Sequence, residues 1–188
     1  TVTKGNFTIK TATSDAVLSA EGGEWVYDGT AHAARATVSD ETFTIYYKAG
    51  DGEWTTTAPS VTNVSDGPVT VSVKATKDGY NDLTCDDVTL KITPKPATIT
   101  VASAEKSFGE KDPEFTGKVE GLIGENDLGK ISYSRTNKDE AVGTYKEVLD
   151  ATYTANENYT VTVLKGDFTI KTAASDAKLS AAGGEWVY

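Results

Sequence analysis

Residues 4–27 recur as residues 165–188, identical at 20 of 24 positions and at a constant spacing of 161 residues. The four differences (Asn6/Asp167, Thr13/Ala174, Val17/Lys178, Glu21/Ala182) are exchanges that solvent-exposed positions tolerate. A period this long is not that of a solenoid, in which one supersecondary unit recurs every few tens of residues; it has room for one or two self-sufficient domains. The chain therefore reads as slightly more than one period of a tandem array, and arrays of whole domains supply reach, valency or spacing.

Composition narrows the function classes. A hydrophobic fraction of 38% describes a chain that folds rather than one that stays disordered. The net charge of −10 excludes a nucleic-acid binder, because neutralising phosphates takes a surplus of Lys and Arg. No run of about 18 apolar residues occurs, so no membrane insertion is expected of this stretch. The single Cys85 cannot form an internal disulfide, and Asp86 and Asp87 beside it disfavour a reactive thiolate.

Alternation of period two dominates. Phe43, Ile45 and Tyr47 face one way and Thr44, Tyr46 and Lys48 the other; Val69, Val71 and Val73 alternate with Thr70, Ser72 and Lys74. The same pattern runs through Val88–Ile92, Ile99–Val101, Tyr159–Val163 and Phe168–Ile170, with turn residues between (Gly50-Asp51-Gly52, Ser65-Asp66-Gly67-Pro68, Asp78-Gly79). No helical period is sustained, apart from a short turn expected at Gly124–Leu128. The expected fold is all-β: two tandem β-sandwiches in an elongated arrangement. Thr93-Pro94-Lys95-Pro96 marks the boundary as a short, stiff connector. The domains so defined are 14–94 and 95–171. Residues 1–13 copy the last strand of a preceding repeat, and 172–188 open the next.

Two families then become recognisable. Val26-Tyr27-Asp28-Gly29-Thr30-Ala31-His32, Tyr46–Pro59 and Lys77-Asp78-Gly79-Tyr80 resemble bacterial immunoglobulin-like surface repeats of the Tyr-Asp-Gly-Thr type. Lys106-Ser107-Phe108-Gly109-Glu110-Lys111-Asp112-Pro113, Val119–Leu122, Val142–Tyr145 and Asn158–Val161 resemble MBG domains, named for mucin binding. The pairing is similar to that of long, cell-wall-attached bacterial adhesins. It implies an extracellular, cell-surface location and a stalk repeat that projects a distal binding region, with neighbouring repeats as partners. Two alternatives are weak multivalent binding of host mucin or other glycans by the modules themselves, and an accessory module of a large secreted glycan-active enzyme.

Chemistry-bearing constellations are few. One His, one Cys and no nucleophile or phosphate-loop motif leave no catalytic residues and no cofactor to expect. Asp86-Asp87, Asp139-Glu140 and Glu125-Asn126-Asp127 read as solvated turns rather than calcium loops, so no metal is expected. The candidate glycan contacts are the aromatic residues Trp54, Tyr46, Tyr80 and Trp25, the last repeated as Trp186. An intramolecular Lys–Asn or Lys–Asp isopeptide bond needs a buried Lys, whereas Lys74, Lys91 and Lys171 fall on outward strand positions. Asn6, Asn63 and Asn158 head Asn-x-Ser/Thr triplets that a Thr-rich β-protein contains by composition alone. The strand copy Lys4–Lys10 is expected to pair head-to-tail with the sheet of another molecule.

Overall fold

The computed structural model describes residues 8–175 and 183–184. Lys4–Phe7 of the copied strand, and Trp186, lie outside the described residues. The fold is all-β, with one turn of 3₁₀ helix at Val64–Asp66 and no α-helix among the described residues. The described chain divides into two compact units: one holds the residues up to Ala97 with 121–127 and 155–161, the other holds 98–120, 128–154 and the residues from Thr162 on.

The first unit contains β1 (Leu18–Glu21), β2 (Gly23–Val26), β3 (His32–Ala33), β4 (Arg35–Val38), β5 (Thr44–Ala49), β6 (Ser60–Val61), β7 (Val69–Thr76), β8 (Leu83–Thr84) and β9 (Val88–Thr93). The main sheet runs β2-β9-β7-β5 with β8 on β7, and β1–β4 and β3–β6 form two small ladders. Strand alternation fixes which side chains meet. Val71, Val73 and Ala75 of β7 are buried while Thr70, Ser72 and Lys74 point outward. Leu18 from β1, Tyr47 from β5, Val61 from β6 and Leu90 and Ile92 from β9 join them in one core. Ahead of β1, Ala12 pairs in parallel with Tyr80: its N–H donates to the Gly79 carbonyl (2.8 Å) and its carbonyl accepts from the Asn81 N–H (2.9 Å).

Segments 121–127 and 155–161 complete this unit. The turn expected near Gly124 forms: the Asp127 N–H donates to the Gly124 carbonyl (3.1 Å) and the Gly124 N–H to Asp127 Oδ2 (2.9 Å). The buried Tyr159 donates its hydroxyl proton to Asp127 Oδ2, accepts from the Ile123 N–H (2.9 Å) and meets the Tyr27 ring edge-on at 5.5 Å. Asn158 accepts at Oδ1 from the Val64 N–H (2.9 Å), donates from Nδ2 to Asn63 Oδ1 (2.9 Å), and its carbonyl accepts from the Lys95 N–H (2.9 Å). The stiff Thr93–Pro96 connector is shorter than expected. Pro94 alone separates β9 from β10 (Lys95–Val101), and Pro96 sits in the head of β10, ahead of the pairing with β12 (Gly117–Glu120) that begins at Thr98↔Glu120. Its missing N–H therefore breaks no bond of that ladder.

The second unit adds β11 (Ala104–Ser107), β13 (Ser132–Arg135), β14 (Gly143–Thr152), the end of β15 (Tyr159–Leu164), which starts in the first unit, and β16 (Gly166–Lys171). Its sheets have the orders β11-β16-β14-β13 and β12-β10-β15, and β11 runs parallel to β16. Ile99, Val101, Leu128, Leu149, Phe168 and Ile170 are buried, and Phe115 meets Phe168 edge-on at 5.7 Å. β14 carries a bulge between Tyr145 and Leu149, where Glu147 takes φ 53°. Asp167 holds the bulge, accepting from Lys146 Nζ (2.6 Å) and from the Glu147 N–H (2.9 Å). The described part of the first-repeat copy, Thr8–Lys10, is exposed and outside any strand; Ile9 is 85% exposed where its counterpart Ile170 is 1% exposed.

Phe168 is fully buried between two sheet neighbours, so Phe168→Ala is expected to cost about 3–5 kcal/mol in urea unfolding. Leu164→Ala, at a half-exposed position on the adjoining strand, should change stability by about 0.5 kcal/mol or less.

Candidate functional site

The four aromatic candidates occupy three places in the first unit. Tyr46 and Trp54 share a neighbour: Tyr46 stands opposite Lys74 in the β5–β7 ladder, and Lys74 Nζ lies 5.0 Å from the Trp54 ring centre. Lys48 Nζ lies 5.5 Å from the same ring, which is 38% exposed. Trp54 thus covers the outward β5–β7 face, held by two ammonium groups. Tyr80 packs edge-on against Phe43 at 6.0 Å with Lys77 Nζ 4.6 Å from its ring centre, beside the Ala12 pairing. Trp25 stacks on His32 with ring centres 4.6 Å apart and planes at 17°.

Trp25 and His32 border a cleft of about 440 Å³ shared with Glu21, Gly22 and Arg35. Local sequence explains its shape. A Cβ on Gly22 would lie 2.3 Å from the Thr89 carbonyl oxygen, and one on Gly23 would strike the Trp25 ring at 2.6 Å, so Gly-Gly-Glu-Trp lets backbone and indole pack close. Behind His32, Asp28 Oδ1 accepts from the Thr30 N–H (2.8 Å) and hydroxyl (2.7 Å), and His32 Nε2 lies 3.1 Å from it. Gly29 sits between at φ 76°. The Thr30 bonds, with a smaller contribution from His32, lower the Asp28 pKa to about 2. Tyr-Asp-Gly-Thr-x-His is thus a self-bonded turn that orients the imidazole against the indole. The cleft offers a carboxylate, a guanidinium and an imidazole, but no hydroxyl or thiol nucleophile lines it.

Sequence reasoning missed one cluster in the second unit. Lys106 is only 7% exposed; its Nζ lies 2.8 Å from Asp112 Oδ1 and 2.5 Å from Glu140 Oε2. Arg135 bonds the same two acids, with Nε 3.0 Å from Asp112 Oδ2 and an ion pair to Glu140 Oε1, and its guanidinium lies 4.7 Å from the Phe168 ring centre. Glu140 lies in an exposed turn and from there bridges the two cations. Strand alternation marks only the inward slot of Lys106, not the partners that meet it there. Bonds to Asp112 and then Glu140 raise the Lys106 pKa above its ordinary 10.5, and bonds to Lys106 and then Arg135 lower that of Glu140 below 4.5. Two cations and two carboxylates thus form one ion-pair cluster. The three outward lysines are where alternation puts them, Lys74 against Asp82 (3.3 Å), Lys91 against Glu24 (3.0 Å) and Lys171 against Glu105 (2.5 Å).

Cys85 is half-buried, and burial first, then Asp86 and Asp87, push its pKa up. Among the described residues no group of three or more His, Cys, Asp or Glu side chains is placed to hold a metal ion, and no helix is long and apolar enough to cross a membrane.

Residues 97–169 match the family model of the MBG domain (YGX type). No curated protein and no solved structure matches the chain. MBG domains are non-catalytic modules found in bacterial surface proteins. Within the matched stretch the signature residues make structural bonds. Lys106 and Asp112 are ion-paired, and the Tyr145 hydroxyl donates to the Ala141 carbonyl (2.8 Å).

The ion-pair lattice sets a pH dependence. Glu140 has a lowered pKa in the fold, so its contribution is complete above the ordinary carboxylate range and is lost as pH falls through the lowered value. Glu140→Gln should therefore lower the urea midpoint at about pH 7, and the gap from the parent should narrow between about pH 5 and pH 2.

Proposed function

We propose that the chain is a structural repeat of a bacterial cell-surface adhesin stalk. In this reading two β-sandwich modules, 14–94 and 95–171, join neighbouring repeats to hold a distal binding region away from the cell wall. The observation that carries it is the engagement of the aromatic candidates by the protein's own groups: Trp54 under Lys48 and Lys74, Tyr80 against Phe43 and Lys77, Trp25 against His32. A glycan platform needs a ring face free to stack on a sugar. Outward strand positions carry Thr and ion-paired Lys, which suits a spacer, and the net charge of −10 resists collapse of one repeat on another. Head-to-tail pairing through Lys4–Lys10 belongs to the same reading, since the exposed Ile9 copies the buried Ile170.

The cleft beside Trp25 favours a second reading, in which each module binds mucin or another glycan weakly and an array adds these contacts through avidity. A mucin-glycan array probed with multivalently displayed protein separates the two. The stalk reading predicts no saturable, sugar-competed retention. It also predicts that Trp54→Ala costs about 1–2 kcal/mol of stability through loss of two cation–π contacts. Retention that Arg35→Ala abolishes would transfer the function to the cleft.

A further inference from the structure

We propose that Thr172–Ala173 is a docking strand for a second copy of the first module: it pairs with that copy's Gly79–Asn81 loop and fixes the joint between successive periods. The inference rests on the tandem-array reading and adds to it the contact that sets the joint. Its template is already in the chain. Thr11 and Ala12, the counterparts of Thr172 and Ala173, lie on Gly79–Asn81 through the two Ala12 backbone bonds and a side-chain bond between the Thr11 hydroxyl and Asn81 Oδ1.

The pattern of exchange between the two copies follows the contact. Thr11, Ala12, Ser14 and Leu18, which bond to the loop, close the Ser14 turn to the Ala16 N–H or enter the core, recur unchanged as Thr172, Ala173, Ser175 and Leu179. The changed positions in the described part of the first copy, Thr13, Val17 and Glu21, are all exposed. The receiving loop is preformed. The Tyr80 N–H donates to the Lys77 carbonyl (3.0 Å), Tyr80 is wedged against Phe43, and Gly79 takes φ 76°. The delivering end is fixed as well. Lys171 is the last residue of β16 and its carbonyl accepts from the Phe108 N–H (2.8 Å), so only Thr172 stands between a sheet residue and the docking Ala173. One residue of slack leaves little freedom to a joint anchored on both sides.

The test is amide hydrogen exchange on the 188-residue chain and on a chain of two periods, made by appending residues 28–188 in frame after Tyr188. Docking predicts that the Ala12 amide is protected in both chains, and that the Ala173 amide exchanges at least about tenfold more slowly in the longer one. Ala173→Pro, which removes the donor at an exposed position outside either core, should restore motion between the periods while the Val71 and Ile170 amides stay protected. Equal Ala173 exchange in both chains, or an unprotected Ala12, overturns the proposal. Fast Ala173 exchange in a two-period chain that stays extended would sink the docking and leave the stalk standing; a chain that collapses would sink the stalk itself.

Discussion

The hydrogen bonds of Asn158 and Tyr159 are what the first unit is assembled around. Asn158 uses both ends of its amide and its carbonyl on Asn63, Val64 and Lys95, while Tyr159 ties Ile123 and Asp127 and packs on Tyr27. Each bond is worth about 0.5–1.5 kcal/mol net, but a buried amide or hydroxyl left unpaired costs about 1–3 kcal/mol, so the set opens together or not at all. Residues 121–127 and 155–161 fall within the stretch that matches the MBG domain, yet they are built into the same unit as the residues before Ala97. Asn158 also heads a glycosylation triplet, and its amide is already spent on these internal bonds.

Part of the acidity in this chain is turn chemistry. Asp28, Asp40, Asp66 and Asp127 each accept hydrogen bonds from groups two to four residues away or across a loop, and each has its pKa lowered by them: Thr30 at Asp28, Thr42 at Asp40, Asn63 and Thr62 at Asp66, Tyr159 and Gly124 at Asp127. Carboxylates bound to local N–H and O–H donors stay ionised and close turns. Hydrogen bonds within the turns account for these four carboxylates without a bound cation.

Alternation made the strands legible: Val71, Val73, Leu90, Ile92, Phe168 and Ile170 are buried where a period of two puts them. Exposure of Thr13, Val17 and Glu21 was legible too, from the pattern of exchange between copies. The ion-pair lattice was not, because it joins Lys106, Asp112, Arg135 and Glu140 across a loop and two strands, and no local spacing encodes such a meeting. The Asn158 bonds escaped for the same reason, with Asn63 lying 95 residues away in the chain. Aromatic content marked Trp25, Trp54 and Tyr80, but their partners His32, Lys48, Lys74 and Phe43 decide what the rings can do, and only the fold supplies them.

Whether successive periods form a stiff spacer is read most directly from length against repeat number. Electron microscopy of chains with increasing numbers of 161-residue periods should show end-to-end length rising in proportion to the count. Length that grows only as about the square root of the count, as for flexibly linked domains, would contradict it.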